Sequence, residues 1–279
     1  MSYFKIKSHA KINLALNIVG KTNTLHKIES IVSFLSLHDK ILIRKIKNKN
    51  HKINFTGNFS SNIKTKNTIS YLLENLERKK LLHEKFEINI QKNIPTQSGL
   101  GGGSSNAARI LNFLIKEKFI KVSKKEILNI SNSIGSDVIL GVYSKNLIVS
   151  SNNLIKTFPS KKVFVLIVKP KFGCSTKFIY SMVRKYNKPK FIRPSKNMFK
   201  LKFLKNLNNE LETIALKKYP RLNSLKKFLE KLSKVEFVRM TGSGSAIIAY
   251  FRSDKKCKEA EKKVKNKFKN YWCKTSKTI

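Results

Sequence analysis

The chain has 279 residues, of which 41% are hydrophobic and 18 are phenylalanine, so it can bury the core of one large domain or of two smaller ones. This composition excludes a disordered basic tail. The 59 lysine and arginine residues outnumber the 16 aspartate and glutamate residues and give a formal net charge of +43. Such a charge raises the question of a nucleic-acid partner.

The basic residues are spread along the whole chain, and no short arm or block holds the excess. Only 8 of the 59 are arginine, the side chain that reads guanine edges and binds phosphate with two parallel hydrogen bonds. Lysine, asparagine and isoleucine are all abundant and all have A/T-rich codons, so a biased genome accounts for the composition. We therefore expect no specific nucleic-acid partner, and a basic nucleic-acid-binding protein is the alternative from another functional class.

The cysteines and the apolar runs indicate in which cellular compartment the protein resides. Cys174, Cys257 and Cys273 are odd in number and lack a C-x-x-C spacing, which argues against a disulfide framework and a zinc ribbon. The longest apolar run, 163–168, is far shorter than the ~20 residues that a membrane helix needs. The stretch 12–19 has no small-residue cleavage pattern of a signal peptide. These features predict a soluble, cytoplasmic protein with no membrane partner and no metal site of its own.

Hydrophobic periodicity predicts a mixed α+β architecture without the regular alternation of a doubly wound sheet. In chain order, the predicted elements are strands 3–7, 12–19 and 41–45, helix 67–80, strand 86–91, a helix that includes Ala107 to Ile115, helix 124–133, strand 163–168, helix 222–232, strands 237–240 and 246–251, and helix 255–268. No internal repeat is present.

A change of composition divides the chain near residue 155. Ser150, Ser151, Asn152 and Asn153 form a polar patch, and the stretch 138–209 contains no aspartate or glutamate. An acidic ligand that reached the surface of this stretch would meet positive potential and no competing carboxylate. A solvated lysine face is the alternative interpretation. We predict two domains, 1–155 and 156–279.

The most informative stretch runs from Pro95 to Ala108 and reads Pro-Thr-Gln-Ser-Gly-Leu-Gly-Gly-Gly-Ser-Ser-Asn-Ala-Ala. It carries four glycines in five residues, then capping residue types, and then a predicted helix. A loop of free N–H groups at a helix N-terminus is an anion site. The spacing matches neither the Walker loop nor the dinucleotide loop, and the motifs of protein kinases are absent. We predict phosphate binding, with a flexible hinge as the alternative.

The chain has only three aspartates that could activate a hydroxyl. Asp254 lies among basic residues in a predicted surface turn, and Asp39 lies at a strand entrance, so both are more simply solvated or structural. Asp137 lies in Gly-Ser-Asp-Val, in a turn between a helix and an apolar run, where a side chain can be held in a cleft. By position alone, an N-cap role is as well supported as a functional one.

Two further motifs carry weaker signals. Lys11 and Asn13 lie on the same face of a predicted strand, although a lone lysine in a strand is usually an edge charge. The stretch 240–246, Met-Thr-Gly-Ser-Gly-Ser-Ala, forms a predicted tight loop between two strands. It is either a plain hairpin or a ligand-binding loop.

Together these motifs resemble those of the GHMP kinase superfamily, which comprises galactokinases, homoserine kinases, mevalonate kinases and phosphomevalonate kinases. Its phosphate loop reads Pro-x-x-x-Gly-Leu-Gly followed by serines, and a Gly-Ser-Gly loop lies near its C-terminus. The extended form at 99–108 is similar to the branch that phosphorylates the 2-hydroxyl of a cytidine diphosphate-linked polyol in non-mevalonate isoprenoid precursor biosynthesis. The resemblance covers essentially the whole chain. It implies an α+β, two-domain fold with the active site in the cleft between the domains.

The resemblance also implies roles for individual residues. Domain 1–155 would bind ATP, domain 156–279 would complete the substrate site, and the enzyme would be a monomer or a homodimer. Lys11 and Asp137 would be catalytic. Substrate would be bound by Asn13, His26, Thr176 and Tyr180. ATP, accompanied by Mg²⁺ that contacts Ser105, would be bound by Pro95, Thr96, Gln97, Ser98, Gly99, Leu100, Gly101, Gly102, Gly103, Ser104 and Ser105.

The sequence departs from this branch at three places. The branch usually has Asp-Gly-Tyr-His where this chain has Asn-Thr-Leu-His at 23–26, so Leu25 replaces the tyrosine. Loss of the aromatic ring would cost on the order of 1 kcal/mol of base-stacking free energy. Ile139 replaces a proline, and polar residues at 150–153 replace Gly-x-Gly-Glu. A sibling kinase of the homoserine or mevalonate type is therefore the alternative function.

Overall fold

A computed structural model of the chain describes residues 2–23, 25–61, 63–152, 154–159 and 161–279. The chain forms two compact units. The first unit comprises Met1–Lys11, Leu37–Thr96 and Gly101–Ser144, and the second comprises Ile12–Ser36, Gln97–Leu100 and Lys145–Ile279. Neither unit coincides with 1–155 or 156–279, so that division stays a sequence-based prediction. Thr24 of the base-reading motif and Asn153 of the polar patch lie outside the described residues.

The described residues contain strands and helices in mixed order, which confirms the predicted α+β class. The strands are β1 Phe4–Lys21, β2 His26–Ile46, β3 Lys52–Thr56, β4 Lys85–Gln91, β5 Asn146–Val149, β6 Ile155–Phe158, β7 Phe164–Lys169, β8 Phe237–Met240, β9 Ile247–Phe251 and β10 Trp272–Lys277. The α-helices are α1 Thr68–Arg78, α2 Gly102–Lys116, α3 Lys124–Ile134, α4 Val138–Tyr143, α5 Thr176–Ser181, α6 Leu201–Lys205, α7 Glu210–Lys218, α8 Pro220–Glu230 and α9 Asp254–Lys267. A 3-10 helix spans Lys196–Phe199.

Three short predicted strands belong to two long ones. The predictions at 3–7 and 12–19 are parts of β1, and 41–45 is the end of β2. The polar residues Ser8 and Lys11 interrupt the apolar alternation in the sequence, yet both are buried within β1. Tertiary burial of polar side chains therefore extends a strand across a sequence that does not look like one.

In the first unit, helices pack on the part of a sheet that is formed by the end of β2 with β3 and β4. Lys40–Ile46 of β2 pairs antiparallel with β4, and β3 pairs with β4 in parallel. The N-cap of helix α1 is Asn67, whose side chain accepts from the N–H groups of Ile69 and Ser70 in a capping box. The apolar faces of α1 and α2 contribute to one core with the inner residues of β4. This core supports the start of α2, where the glycine-rich stretch ends.

The second unit has its own core around an antiparallel sheet with strand order β10-β7-β9-β8. Helices α8 and α9 pack on this sheet and bury leucine, alanine and valine side chains against it. The early part of β2, Ser30–Val32, pairs with β5, and β5 pairs with β6. Across the described residues, no helix combines the length and the apolar character needed to cross a membrane.

Candidate active site

The glycine-rich stretch ends in a helix N-terminus in the first unit. Gly101 is the N-cap of α2 and has φ +68°, in the left-handed region. A Cβ atom at this position would lie 2.7 Å from Lys11 Cγ, so glycine satisfies both the backbone conformation and the close contact. Because the cap residue has no side chain, the N–H groups of the first turn stay available to an anion.

Lys11 of β1 and Asp137 form an ion pair in the same unit, with Lys11 Nζ 3.0 Å from Asp137 Oδ2. The lysine side chain is 6% exposed and the carboxylate side chain is 35% exposed. Asp137 is at the N-cap position of α4, but its side chain forms no capping hydrogen bond. The carboxylate is therefore held by a buried cation, and one side of it remains open to solvent.

Asp39 is fully buried in the first unit. Its Oδ1 accepts from the N–H groups of Asn93 at 2.7 Å and Ile94 at 2.8 Å. Its Oδ2 accepts from Asn106 Nδ2 at 3.1 Å and forms an ion pair with buried Lys92. The sequence allowed a structural role for Asp39, and the structure shows what that role is. The carboxylate joins the residues that precede the glycine-rich stretch to the second turn of α2.

The middle of the glycine-rich stretch, Gln97–Leu100, belongs to the second unit and is bound to the loop 241–246. The N–H of Ala246 donates to the carbonyl of Ser98 at 3.1 Å, and Thr241 Oγ1 donates to the carbonyl of Gly99 at 3.3 Å. Gly99 has φ +76°, and a Cβ atom there would lie 2.1 Å from the carbonyl oxygen of Thr241. The two glycine motifs, far apart in sequence, therefore form one hydrogen-bonded structure.

Asn13 is buried next to this loop in the second unit. Its N–H donates to Thr241 Oγ1 at 3.0 Å, and its Nδ2 donates to Ser30 Oγ at 2.8 Å. Ser30 Oγ donates in turn to the carbonyl of Ala15 at 2.7 Å. This chain of hydrogen bonds fixes the orientation of the Asn13 amide. A substrate-binding role for Asn13 stays a prediction.

His26 begins β2 and contacts two tyrosine rings of the second unit. The ring centroid of Tyr180 lies 5.2 Å from that of His26, and the centroid of Tyr186 lies 6.3 Å from it. Partial burial, with the nearby charge of Lys21, lowers the pKa of His26 below its ordinary value of 6.5. The imidazole is therefore neutral at pH 7, with one nitrogen as donor and the other as acceptor.

Thr176, at the start of α5, lies in the second unit, where its hydroxyl is 2.8 Å from Ser243 Oγ. The structure thus pairs Lys11 with Asp137, His26 with Tyr180, and Thr176 with the loop 241–246. It adds Lys92 and Tyr186, which the sequence interpretation missed because they lie outside the motifs. It also gives partners to Asn106 and Ser243, which lie within the motifs but had no individual role in the sequence interpretation. The roles of these residues in catalysis and binding stay predictions.

The described residues hold no group of three or more histidine, cysteine, aspartate or glutamate side chains that could bind a metal ion. The three cysteines are buried and unpaired, and burial raises the pKa of Cys174 to about 11. Neither a disulfide nor a reactive thiolate is part of the chemistry that these residues support.

Two family models match the chain. The model of the GHMP kinases N terminal domain matches residues 65–146, and the model of the GHMP kinases C terminal domain matches residues 195–270. The N-terminal match contains the glycine-rich stretch and Asp137, and the C-terminal match contains the loop 241–246.

Named relatives agree with these models. The chain is 55% identical to the 4-diphosphocytidyl-2-C-methyl-D-erythritol kinase of Pelagibacter ubique (strain HTCC1062), with 100% of both chains covered. Its fold is similar to a crystal structure of 4-(cytidine 5'-diphospho)-2C-methyl-D-erythritol kinase, with a TM-score of 0.76, 20% identity, and coverage of 98% of this chain and 99% of the other.

The homoserine kinase from Cytophaga hutchinsonii ATCC 33406 has a similar fold too, with a TM-score of 0.73, 16% identity, and coverage of 100% of this chain and 95% of the other. At 20% and 16% sequence identity, the two solved structures support the fold alone. The relative that shares more than half of the residues over full length decides the family. The chain belongs to the GHMP kinases and, within them, to the family of the 4-diphosphocytidyl-2-C-methyl-D-erythritol kinases.

Proposed function

We propose that this small-molecule kinase transfers the γ-phosphoryl group of ATP to the 2-hydroxyl of 4-diphosphocytidyl-2-C-methyl-D-erythritol. The observation that carries the proposal is the Lys11–Asp137 ion pair, in a unit that also holds the glycine-capped N-terminus of α2. Full-length similarity to a kinase named for this substrate supports the choice of acceptor.

Asp137 is the general base of the proposed reaction. As the hydroxyl oxygen forms its bond to the γ-phosphorus, the proton of the hydroxyl moves to the Asp137 carboxylate, and the bond from the γ-phosphorus to the bridging oxygen of ADP breaks. The exposed side of the carboxylate is available to receive that proton. Lys11 holds the carboxylate in place and stabilises the negative charge of the transferring phosphoryl oxygens.

The residues from Pro95 to Ser105 bind the ATP phosphates in this proposal. The free N–H groups of the first turn of α2 and the positive end of the helix dipole favour an anion at Gly101–Ser104. Mg²⁺ comes with the nucleotide, and Ser105 is the proposed side chain next to it. This fits the described donor set, because no acidic cluster is present to bind the ion independently of phosphate. The ion supplies charge neutralisation at the phosphates.

His26, Tyr180, Thr176 and Asn13 bind the acceptor in this proposal. The neutral imidazole of His26 can both donate and accept a hydrogen bond at the edge of a cytosine, and Tyr180 offers an aromatic face beside it. The partner is thus a small molecule that carries a cytidine diphosphate group. The distribution of lysine over the whole chain supports no specific nucleic-acid partner.

A sibling activity is the second candidate, because a homoserine kinase has a similar fold and Leu25 does not match the usual tyrosine. The test is to incubate the purified protein with Mg·ATP and, separately, with 4-diphosphocytidyl-2-C-methyl-D-erythritol, homoserine or mevalonate, and to measure ADP. We expect ADP above the acceptor-free control with the cytidine compound alone. Turnover confined to homoserine or mevalonate would overturn the choice of acceptor, and no turnover in any tube would overturn the kinase assignment.

A further inference from the structure

His26 is flanked by two aromatic rings, and one of them, Tyr186, has no counterpart in the sequence motif that led to His26. The centroids of the His26 and Tyr186 rings are 6.3 Å apart, with an angle of 52° between their planes. Leu25, which precedes His26, is 66% exposed and has no ring. The aromatic contacts of His26 thus come from the segment after α5 as well as from α5 itself.

We propose that Tyr186 provides the aromatic face that Leu25 lacks, so that the cytosine of the substrate is bound by His26 together with Tyr180 and Tyr186. The inference rests on the proposed function, because it concerns the base of that substrate. It makes Tyr186 a specificity-determining residue for the reaction.

Tyr186 combines an exposed ring with a fixed backbone. Its side chain is 47% exposed, so a face of the ring is open to a ligand. The next residue, Asn187, donates its N–H to the carbonyl of Ile18 in β1 at 2.8 Å. The Asn187 amide also donates to Glu210, whose other carboxylate oxygen accepts from the N–H of Ile18 at 2.7 Å. The residue next to Tyr186 is therefore tied to β1 directly by its backbone and, through Glu210, by its side chain.

A buried carboxylate holds the same segment against β2. Glu29 lies three residues after His26 and is fully buried. Its Oε2 accepts from the N–H of Lys190 at 2.7 Å and from Asn17 Nδ2 at 3.0 Å, and the N–H of Phe191 donates to both of its oxygens at 3.2 Å. Asn17 Nδ2 also donates to the carbonyl of Lys188 at 3.1 Å. Glu29 thereby fastens the segment that carries Tyr186 to the strand that carries His26.

This arrangement lowers the cost of binding a base. A ring on a free loop loses conformational entropy when a ligand immobilises it, whereas a ring on a fastened segment loses less. Stacking of a base on an aromatic ring is tolerant of the identity of the base, while hydrogen bonds at the base edge discriminate. The two tyrosines then supply affinity, and His26 supplies the preference for cytosine.

The experiment compares Tyr186→Ala and Tyr186→Phe in the full-length protein. Removal of one stacking ring corresponds to at least about a fivefold loss of affinity. We expect Tyr186→Ala to raise the KM for 4-diphosphocytidyl-2-C-methyl-D-erythritol by that factor or more, with kcat and the KM for ATP unchanged. Tyr186→Phe keeps the ring and should resemble the wild type. A Phe variant as impaired as the Ala variant would overturn the stacking role.

Tyr143→Ala is the matched control, because Tyr143 is 43% exposed and belongs to the first unit, which does not contain His26. Equal KM values for Tyr186→Ala and Tyr143→Ala would overturn the inference. Calorimetric titration of each variant with CDP separates this result from a failure of the proposed function. If the wild type fails to phosphorylate the cytidine compound, the function is wrong, while weaker binding of CDP by Tyr186→Ala alone still supports the role of Tyr186.

Discussion

The residues that would handle phosphate in the first unit and those that would read the base in the second unit are built in opposite ways. Lys11 and Asp39 are buried charges with direct partners, and the glycine-capped start of α2 lies in one continuous motif. Around His26, the rings are partly exposed and come from α5 and from the segment after it, and the buried Glu29 binds the later segment through the N–H groups of Lys190 and Phe191. Charge chemistry needs groups at fixed positions, whereas stacking needs only a ring in reach. The region around His26 can therefore lose the usual tyrosine at Leu25. Near Asp137 the replacement of a proline by Ile139 leaves the charged pair of Lys11 and Asp137 in place.

The largest effect should come from the phosphate-handling side. Asp137→Asn removes the proposed base, and we expect kcat to fall by about 10²–10⁴-fold. ATP affinity, measured by calorimetry, should stay at its wild-type value because the phosphate loop is intact. Asp254→Asn is the matched control, since Asp254 pairs with Lys258 on the exposed surface of α9 and should leave kcat unchanged. An Asp137→Asn enzyme with wild-type kcat would remove this residue from the base role.

Substitutions of the buried charges in the first unit should also have the larger effect on the free energy of unfolding. Asp39→Asn leaves Lys92 as a buried cation without its carboxylate, and we expect a loss of about 3–5 kcal/mol in the free energy of unfolding. Urea denaturation measures this loss. Asp254→Asn is the control, because its exposed ion pair with Lys258 should contribute little to stability. If both variants unfold at the same urea concentration, the Asp39 network does not support the glycine-rich stretch in the way described above.

A smaller effect is expected at the cap of α2. Gly101→Ala forces a left-handed φ on alanine and puts Cβ against the Lys11 side chain. We expect strain of about 1–2 kcal/mol and a displaced Lys11, and hence a decrease of roughly tenfold in kcat/KM. Gly20→Ala serves as the control because the nearest atom to its Cβ would be 3.8 Å away, an ordinary contact. Equal kcat/KM in the two variants would show that Lys11 tolerates the shift.

The smallest effect concerns the base-reading side. The pKa of His26 lies below 6.5, so the imidazole is neutral above that pH and takes up a proton only below it. We expect the KM for the cytidine substrate to be constant from about pH 8 to 6.5 and to rise a few-fold at lower pH, as the acceptor nitrogen is lost. His26→Gln should abolish this rise. A wild-type KM that already changes between pH 8 and 7 would contradict the lowered pKa.

Elements that depend on local sequence were predictable, whereas those that depend on distant contacts were not. The helix predicted at 67–80, the helix after Gly101 and the strand 237–240 were predictable because apolar spacing, glycine content and capping residue types are local properties of the sequence. The full length of β1 was not predictable from the sequence, because Ser8 and Lys11 are polar and only burial against other segments places them inside a strand. The contact between Tyr186 and His26 was not predictable either, since no local pattern links the two residues.

The sequence by itself determined the mixed architecture, the glycine-rich start of α2 and the small number of aspartates, Asp137 among them, that are available as a base. These properties depend on local backbone preferences and on the scarcity of aspartate in a chain with a net charge of +43. Only the tertiary structure decided which partners those residues meet. The Asp137 carboxylate pairs with Lys11 and does not cap the N–H groups of α4. Asp39 is buried in a network of four partners, and Tyr186 lies next to His26. Such contacts join segments distant in sequence, and their free energy comes from burial and charge pairing that no short stretch of chain contains.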